Sequence, residues 1–180
     1  MQKKIQLSAL LIVLACPLFS QHDRASAELQ QAEHEFTHWR AALLLGHTFI
    51  PAGESTSHLA IPSWGFDLEY WINPKWGIGL HNDLEIQSFI VERENEELLD
   101  REYPVVFTVD ALFKPWKELV LLIGPGVELE PKENFFLVRF GVEYEFEFGH
   151  GWDISPTIFY DTRQDAYDTW SIALGIGKRF

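Results

Sequence analysis

Acidic residues and a histidine recur at every second position in parts of this sequence, a spacing that places them on one face of an extended strand. Carboxylate oxygens together with one imidazole suit a hard or borderline divalent cation such as Ca²⁺, Mn²⁺ or Zn²⁺. A possible divalent-cation site is therefore one hypothesis for these positions. Its candidate ligands are Asp67, Glu69, His81, Asp83, Glu143 and Glu145.

The same residues also suit a structural role, as a hydrated network of carboxylates, arginines and a histidine that fixes strand register. By alternation this face carries three bases, Arg40, Arg139 and Arg179, and ten acids. So many carboxylates cannot all be ionised in a dry interior, so some must meet water, take up protons or bind a cation. The ten acids are Asp67, Glu69, Asp83, Glu85, Asp110, Glu128, Glu143, Glu145, Glu147 and Asp153, of which Glu147 and Asp153 are expected at a wet mouth.

No pattern in the chain indicates a catalytic or cofactor-binding residue. Nucleophilic catalysis needs a nucleophile and a base on the same face, but Ser57 and His58 are adjacent, as are His47 and Thr48, and adjacent strand residues point to opposite faces. Cys16 is the only cysteine, and it lies in an N-terminal apolar run. Redox chemistry is therefore not expected.

Period-two alternation continues from residue 38 to the end of the chain and predicts eight strands. Each is at least as long as the roughly 9–11 residues of a tilted membrane strand. Most connections alternate between short turns and longer polar loops, the longest being 92–101. The runs are 38–50, 58–72, 76–91, 102–113, 118–130, 134–148, 152–161 and 167–180.

The alternation predicts one apolar face and one acidic face. In the last run Trp170, Ile172, Leu174 and Ile176 alternate with small residues, and in the sixth Phe140 and its neighbours oppose glutamates. A soluble barrel has the same period with its apolar face inward. Here the apolar face is rich in aromatic residues near the run ends, as in the interfacial girdles of membrane barrels, and the carboxylate-rich face could not form a soluble core. We predict an eight-stranded antiparallel up-and-down transmembrane β-barrel; the alternative is a secreted antiparallel sandwich or lipocalin-like barrel.

The N-terminal segment predicts export. Lys3 and Lys4 precede an apolar run at 7–19, which is too short for a membrane helix and typical of a signal peptide. We expect a cleaved signal peptide at 1–20, with Ala27 as the alternative cleavage site, then a helical or disordered periplasmic lead-in at 21–37 and the barrel at 38–180. Cys16 is either part of the discarded signal or the lipidated residue of an imperfect lipoprotein box.

With 14 Lys and Arg against 27 Asp and Glu, the formal net charge is −13, which disfavours nucleic acid as a partner. The alternating strands and the terminal Phe180 resemble the small eight-stranded outer-membrane barrels of the OmpA and OmpX type. The resemblance implies a monomer in the outer membrane of a Gram-negative bacterium, in contact with outer-membrane lipid and lipopolysaccharide. It also implies that barrel-assembly machinery recognises the C-terminal strand ending at Phe180.

Barrels of this group include anchors, surface proteins and lipid A-modifying enzymes, so the fold does not select among functions. We expect a non-enzymatic structural or surface-interaction protein whose lumen is filled by an acidic side-chain network. The alternative is an enzyme that modifies lipid A, although the H-x-S spacing of the lipid A deacylases of this fold is absent from the sequence. The third hypothesis is a cation-binding barrel.

Overall fold

The computed structural model describes residues 36–51, 58–92, 98–164 and 166–180. Regular structure in these ranges is entirely β-strand, and none of it is a helix long and apolar enough to cross a bilayer. The predicted signal peptide and nearly all of the predicted lead-in lie outside the described residues. The strands are β1 (Trp39–Pro51), β2 (His58–Trp71), β3 (Trp76–Glu85), β4 (Phe89–Glu92), β5 (Leu98–Arg101), β6 (Val105–Phe113), β7 (Leu119–Leu129), β8 (Phe135–Tyr144), β9 (Phe146–Gly149), β10 (Trp152–Arg163) and β11 (Thr169–Arg179).

The sheet closes on itself as an eight-stranded antiparallel barrel. Its order is β1, β2, β3, β6, β7, β8, β10 and β11, and β11 pairs with both β10 and β1. β9 continues β8 after an interruption at Glu145 and pairs with the start of β10. Closure leaves no long edge strand, because each of the eight members has a partner on both sides.

β4 and β5 form a separate two-stranded sheet that continues from the outer ends of β3 and β6. The sequence predicted a loop at 92–101, but residues 98–101 are a strand, paired with 89–92. The third predicted run, 76–91, is correspondingly broken at 86–88. Burial alternates along both strands, with Phe89, Val91 and Leu99 buried and Ile90 and Leu98 exposed, so the predicted loop was too long.

The turn between β9 and β10 also differs from the prediction. A three-residue turn at 149–151 was expected to pair Phe148 with Trp152, but Trp152 pairs with Gly149. His150 and Gly151 have φ values of 51° and 73°, the positive pair that a tight hairpin turn requires. A register shift next to Trp152 then restores the expected pairing of Glu147 with Asp153.

The faces of the barrel are those that the alternation predicts. Along β11, Trp170, Ile172, Leu174 and Ile176 are 52–54% exposed, whereas Ser171 between the first two is 8% exposed. Phe140 and Phe146 are likewise exposed on the outer wall. Glu143 and Glu145 are buried inside, which excludes the soluble alternative with an apolar core.

Aromatic pairs mark the ends of the outer wall. Near the end that carries the short turns, the rings of Trp39 and Tyr70 are 5.0 Å apart and those of Trp76 and Phe113 are 4.5 Å apart. Near the other end, Tyr160 and Trp170 are 4.6 Å apart. Two aromatic levels separated by an aliphatic band are typical of a barrel that spans a bilayer.

Candidate functional site: the enclosed ion network and the plugged outer mouth

Arg40 is the centre of the ion network near the short-turn end of the lumen, and it is completely buried. Its Nε and Nη2 atoms donate to the two carboxylate oxygens of Asp153 at 2.9 and 2.6 Å, a two-pronged pairing. Nη2 also donates to Ser155 Oγ at 2.9 Å, and Nη1 donates to Glu69. Glu143 Oε1 lies 2.7 Å from Nη2, so the guanidinium joins β1 to acids on three other strands, β2, β8 and β10.

Glu145 lies beside this cluster at the interruption between β8 and β9. It accepts hydrogen bonds from Lys114 and, at 2.6 Å, from Arg179 Nη2. Lys114 Nζ also lies 4.4 Å from the ring centroid of Trp71, whose Nε1 donates to Glu69 at 2.7 Å. The short-turn end of the lumen is thus closed by charged side chains packed on a buried indole.

Apolar side chains share the lumen with these charges. Leu44, Leu112, Val120, Leu122 and Phe159 point inward and form one buried cluster together with Trp71 and Ala42. Arg139 lies over the ring of Phe159 at 4.5 Å. The interior is therefore packed with side chains, as expected for a barrel of eight strands.

Two smaller groups occupy the middle of the lumen. His81 Nδ1 lies 2.6 Å from Asp110 Oδ2, which also accepts from Thr108 Oγ1 at 2.5 Å. Arg139 donates through Nε and Nη2 to both oxygens of Asp161, at 2.7 and 2.8 Å, and through Nη1 to Asp83 at 2.5 Å. Each arginine therefore joins carboxylates from strands on different sides of the barrel.

Glycines make room for these groups at two close approaches. A Cβ atom on Gly124 would lie 2.0 Å from the carbonyl oxygen of Val109 and 2.5 Å from Asp110 Oδ1. A Cβ atom on Gly79 would lie 2.6 Å from His81 Nε2. The inward glycines of β3 and β7 thus create the space into which a neighbouring imidazole and carboxylate lean.

A third arginine cluster surrounds Glu128 near the outer mouth. Glu128 accepts from Arg101 on β5 and Arg163 on β10, and Tyr167 donates its hydroxyl to Glu128 at 2.9 Å. Arg101 also donates to Glu130 at 3.1 Å. Burial raises the pKa of Tyr167, which lies in the loop after β10, well above its usual value, so the hydroxyl keeps the proton that it donates.

An apolar plug covers the Glu128 cluster. Phe89, Val91 and Leu99 on the inner face of the β4–β5 hairpin pack against Ile50, Ile61, Phe135 and Tyr167. The rings of Phe89 and Tyr167 meet edge to face with centroids 6.1 Å apart. β3 and β6, which carry the hairpin, and β10 and β11, which flank Tyr167, are on opposite sides of the eight-strand order, so the hairpin reaches across the outer mouth.

No protein-family model and no curated protein matches the chain. Among solved structures, it is similar to Ail, the attachment invasion locus protein of Yersinia pestis, in complex with the heparin analogue sucrose octasulfate. The TM-score is 0.55 and the identity 16%, over 81% of this chain and 100% of Ail. It is also similar to the N-terminal β-barrel domain of Pseudomonas aeruginosa OprF, at a TM-score of 0.50 and 11% identity, over 78% of this chain and 97% of that domain.

A third similar structure is Neisserial surface protein A (NspA), at a TM-score of 0.50 and 8% identity, over 79% of this chain and 97% of NspA. This chain has the fold of the small eight-stranded outer-membrane β-barrels. The low identities mean that the similarity concerns the fold and not the function.

In this outer-membrane-type barrel, the six predicted metal ligands all lie on the inner side but do not meet at one point. Glu69, Glu143 and Glu145 converge, with one oxygen from each within 4.8 Å of the others. His81 and Asp67 form a cross-strand pair on β3 and β2, and Asp83 is bound to Arg139. The converging glutamates surround Arg40, so a guanidinium already supplies positive charge there. The metal site stays a prediction.

The predicted balance of charges inside the barrel was incomplete. Lys114, Arg101 and Arg163 are buried bases at positions that were predicted to be turns and loops. Glu147 lies in solvent as expected, but Asp153 does not, because Arg40 holds it inside. Arg163 continues the inward parity of Asp153 and Asp161 along β10, so extending the alternation two residues further would have found it.

The histidine and hydroxyl pairs considered for catalysis are separated as predicted where they can be described. Thr48 faces inward, 3.1 Å from Ser171 Oγ, whereas His47 is exposed on the outer wall. Ser57 lies outside the described residues. His47 and Thr48 therefore cannot act as a base and a nucleophile on one substrate.

Proposed function

We propose that this chain is an outer-membrane protein of a Gram-negative bacterium whose barrel acts as a closed anchor for a structural or surface-interaction role. The observation that carries the proposal is the packed lumen: three arginine-centred ion clusters lie inside it, and the hairpin plug covers its outer mouth. An anchor needs a rigid, sealed barrel, whereas a channel needs a continuous wet path.

The length of β3 supports placing the hairpin outside the hydrocarbon. A tilted strand crosses the membrane in roughly 9–11 residues, and β3 uses ten, Trp76–Glu85. β4 begins four residues later, at Phe89, so the hairpin projects beyond the bilayer. Its outer face carries Ile90 and Leu98, which are 60% and 70% exposed, in a position to contact a partner beyond the hydrocarbon.

The charge of the outer end suggests which partners fit. Asp100, Glu102, Glu133 and Asp168 are exposed there, and the exposed cation Lys132 is paired with Asp100 and Glu102 at 2.6 and 3.2 Å. A sulfated polyanion of the kind bound to Ail would meet like charge at this surface. A basic or divalent-cation-bridged surface, including lipopolysaccharide, is the partner that the charge favours.

The test combines electrophoresis and conductance. We expect the purified protein to migrate differently before and after boiling, because a folded barrel resists detergent, and to pass no steady current in a planar bilayer. If the boiled and unboiled samples migrate alike, the result contradicts the claim that the protein is a membrane β-barrel. A stable open-channel current would contradict the closed anchor while leaving the membrane barrel intact.

A cation-binding barrel is the second candidate function, since the three converging glutamates place carboxylate oxygens within 4.8 Å of one another. Elemental analysis of the purified barrel tests it, with Glu143→Gln as the variant that removes one ligand. A stoichiometric metal lost in the variant would support the site. The absence of metal would leave Arg40 as the cation of that cluster.

A further inference from the structure

An apolar groove of about 420 Å³ runs along the outer wall over β2, β3 and β6. The strand register pairs Tyr70 with Ile78 and Leu68 with Leu80, and Leu80 in turn with Val109, so the groove follows two strand pairs away from the short-turn end. Its foot lies beside Trp39 and Tyr70, at the aromatic level of that end. The lining residues are Trp39, Leu68, Tyr70, Ile78, Gly79, Leu80 and Val109.

Two exposed lysines lie in the turns at the foot of this groove. Lys75 is in the turn from β2 to β3, and Lys117 is in the turn from β6 to β7. Asn73 Oδ1 accepts from the backbone amides of Lys75 and Trp76 at 2.9 and 3.0 Å, which fixes the first turn. The amide of Lys114 donates to the carbonyl of Lys75 at 2.8 Å, which ties the second turn to the first.

The charge of this foot differs from that of the outer end. At the outer end, Lys132 is neutralised by two carboxylates. At the foot of the groove, Lys75 has no ion pair among the described residues, and neither has Lys117, whose acidic neighbour in the chain is Glu118. Cations next to aromatic rings at the edge of an apolar wall are the arrangement that attracts anionic lipid headgroups.

We propose that this groove binds an anionic phospholipid of the periplasmic leaflet, with an acyl chain along Leu68, Ile78 and Leu80 and the phosphate between Lys75 and Lys117. The inference rests on the proposed membrane placement and extends it by naming the lipid class, the leaflet and the residues that select it. The occupant is a phospholipid because the foot of the groove lies at the end with the short turns, opposite the outer hairpin.

Native mass spectrometry tests the site. The folded protein is equilibrated in detergent with equal amounts of dioleoylphosphatidylglycerol and dioleoylphosphatidylcholine, and the retained lipids are counted. We expect roughly 25-fold more phosphatidylglycerol than phosphatidylcholine on the wild-type barrel, the product of two roughly five-fold preferences. Each lysine near the headgroup contributes roughly a five-fold preference, so Lys75→Gln with Lys117→Gln should bring the two lipids to near parity.

Two further variants separate headgroup from chain. Lys132→Gln removes a lysine at the other end and should leave the preference unchanged. Leu80→Trp fills the groove and should lower the retention of both lipids together. Equal retention by the wild type, an unchanged preference in the double lysine variant, or full retention by Leu80→Trp would each overturn the proposal.

The heat-dependent gel shift is recorded for every variant, so that loss of the fold is not mistaken for loss of the site. A wild-type protein without the shift would contradict the proposed membrane barrel itself. A wild-type protein that shows the shift but binds both lipids equally would overturn the lipid site alone.

Discussion

Arg40 illustrates how single residues hold this barrel together. Its guanidinium binds Asp153, Glu69 and Ser155 and is in ion-pair contact with Glu143, and all of these are buried. A buried charge is tolerated only when its partners compensate for lost hydration, so removing one partner leaves the others exposed to the full desolvation cost. Removal of one such arginine is therefore expected to destabilise the folded barrel.

The substitution Arg40→Met tests this at the residue scale. It keeps an apolar stem but leaves three acids without their cation, and we expect the free energy of unfolding to fall by about 3–5 kcal/mol. Urea unfolding in lipid vesicles measures it. The control is Lys132→Met, an exposed ion-paired lysine that should change the midpoint little. Equal midpoints for the two variants would contradict the role of Arg40.

Tyr167 offers a second residue test, at the outer mouth. Tyr167→Phe keeps the ring that packs on Phe89 but removes the hydroxyl that donates to Glu128. A hydrogen bond to a charged group contributes about 1.5–3 kcal/mol, so the variant should unfold at lower urea. Tyr160→Phe is the matched control, because its hydroxyl donates to the exposed Asp168 and should matter less. A larger drop in the urea midpoint for Tyr160→Phe than for Tyr167→Phe would contradict a stabilising role for the Tyr167 hydroxyl.

At the scale of elements, the β4–β5 hairpin is the part of the fold with the clearest functional consequence. Its inner face is apolar and buried, and its outer face carries the exposed Ile90 and Leu98. Inside the mouth, Arg101 of the hairpin donates a hydrogen bond to Glu128, and Phe89 of the hairpin packs edge to face on Tyr167. The hairpin is thus part of the barrel interior and part of the surface at once.

Phe89→Ala should loosen this hairpin. Loss of a buried aromatic side chain costs about 3–5 kcal/mol, and here the loss falls on contacts across the outer mouth. We expect faster hydrogen exchange of the amides of β5, measured by mass spectrometry, while the amides of β11 stay protected. Ile90→Ala, on the exposed face of the same strand, should leave exchange near that of the wild type. Unchanged exchange in Phe89→Ala would mean that the plug does not hold the hairpin.

The strands also show which features of the fold can be predicted from the sequence. The two-residue period of β11 and β8 predicts both the strands and the face that each residue occupies, because lipid and lumen impose opposite demands on adjacent positions. At the strand ends that demand weakens, and there the prediction failed: Arg101, Lys114 and Arg163 were assigned to connections although they point inward. The β4–β5 hairpin was missed as a strand pair for the same reason.

The pairing inside the lumen was beyond the reach of the sequence alone. Arg40 and Asp153 are 113 residues apart, and Arg139 and Asp83 are 56 apart. Which acid meets which base depends on closure of the sheet and on the register of all eight strands, and local alternation contains neither. The metal prediction grouped six inward residues by parity, while the closed barrel distributes them among three separate clusters.

For the whole molecule, every functional inference depends on one orientation, in which the apolar wall meets lipid and the charged wall is enclosed. Ser171 and Ile172 are adjacent on β11 and test it directly, since the first is buried inside and the second is 53% exposed outside. A nitroxide attached at Ser171→Cys or Ile172→Cys reports collisions with oxygen, which concentrates in lipid, and with a water-soluble nickel chelate. Both labelled variants are folded into phosphatidylcholine vesicles before the collision rates are measured.

We expect the probe at Ile172 to collide strongly with oxygen and weakly with the nickel chelate, and the probe at Ser171 to be shielded from both. Strong nickel collisions at Ile172 in the folded protein would place the apolar wall in water and contradict the membrane orientation.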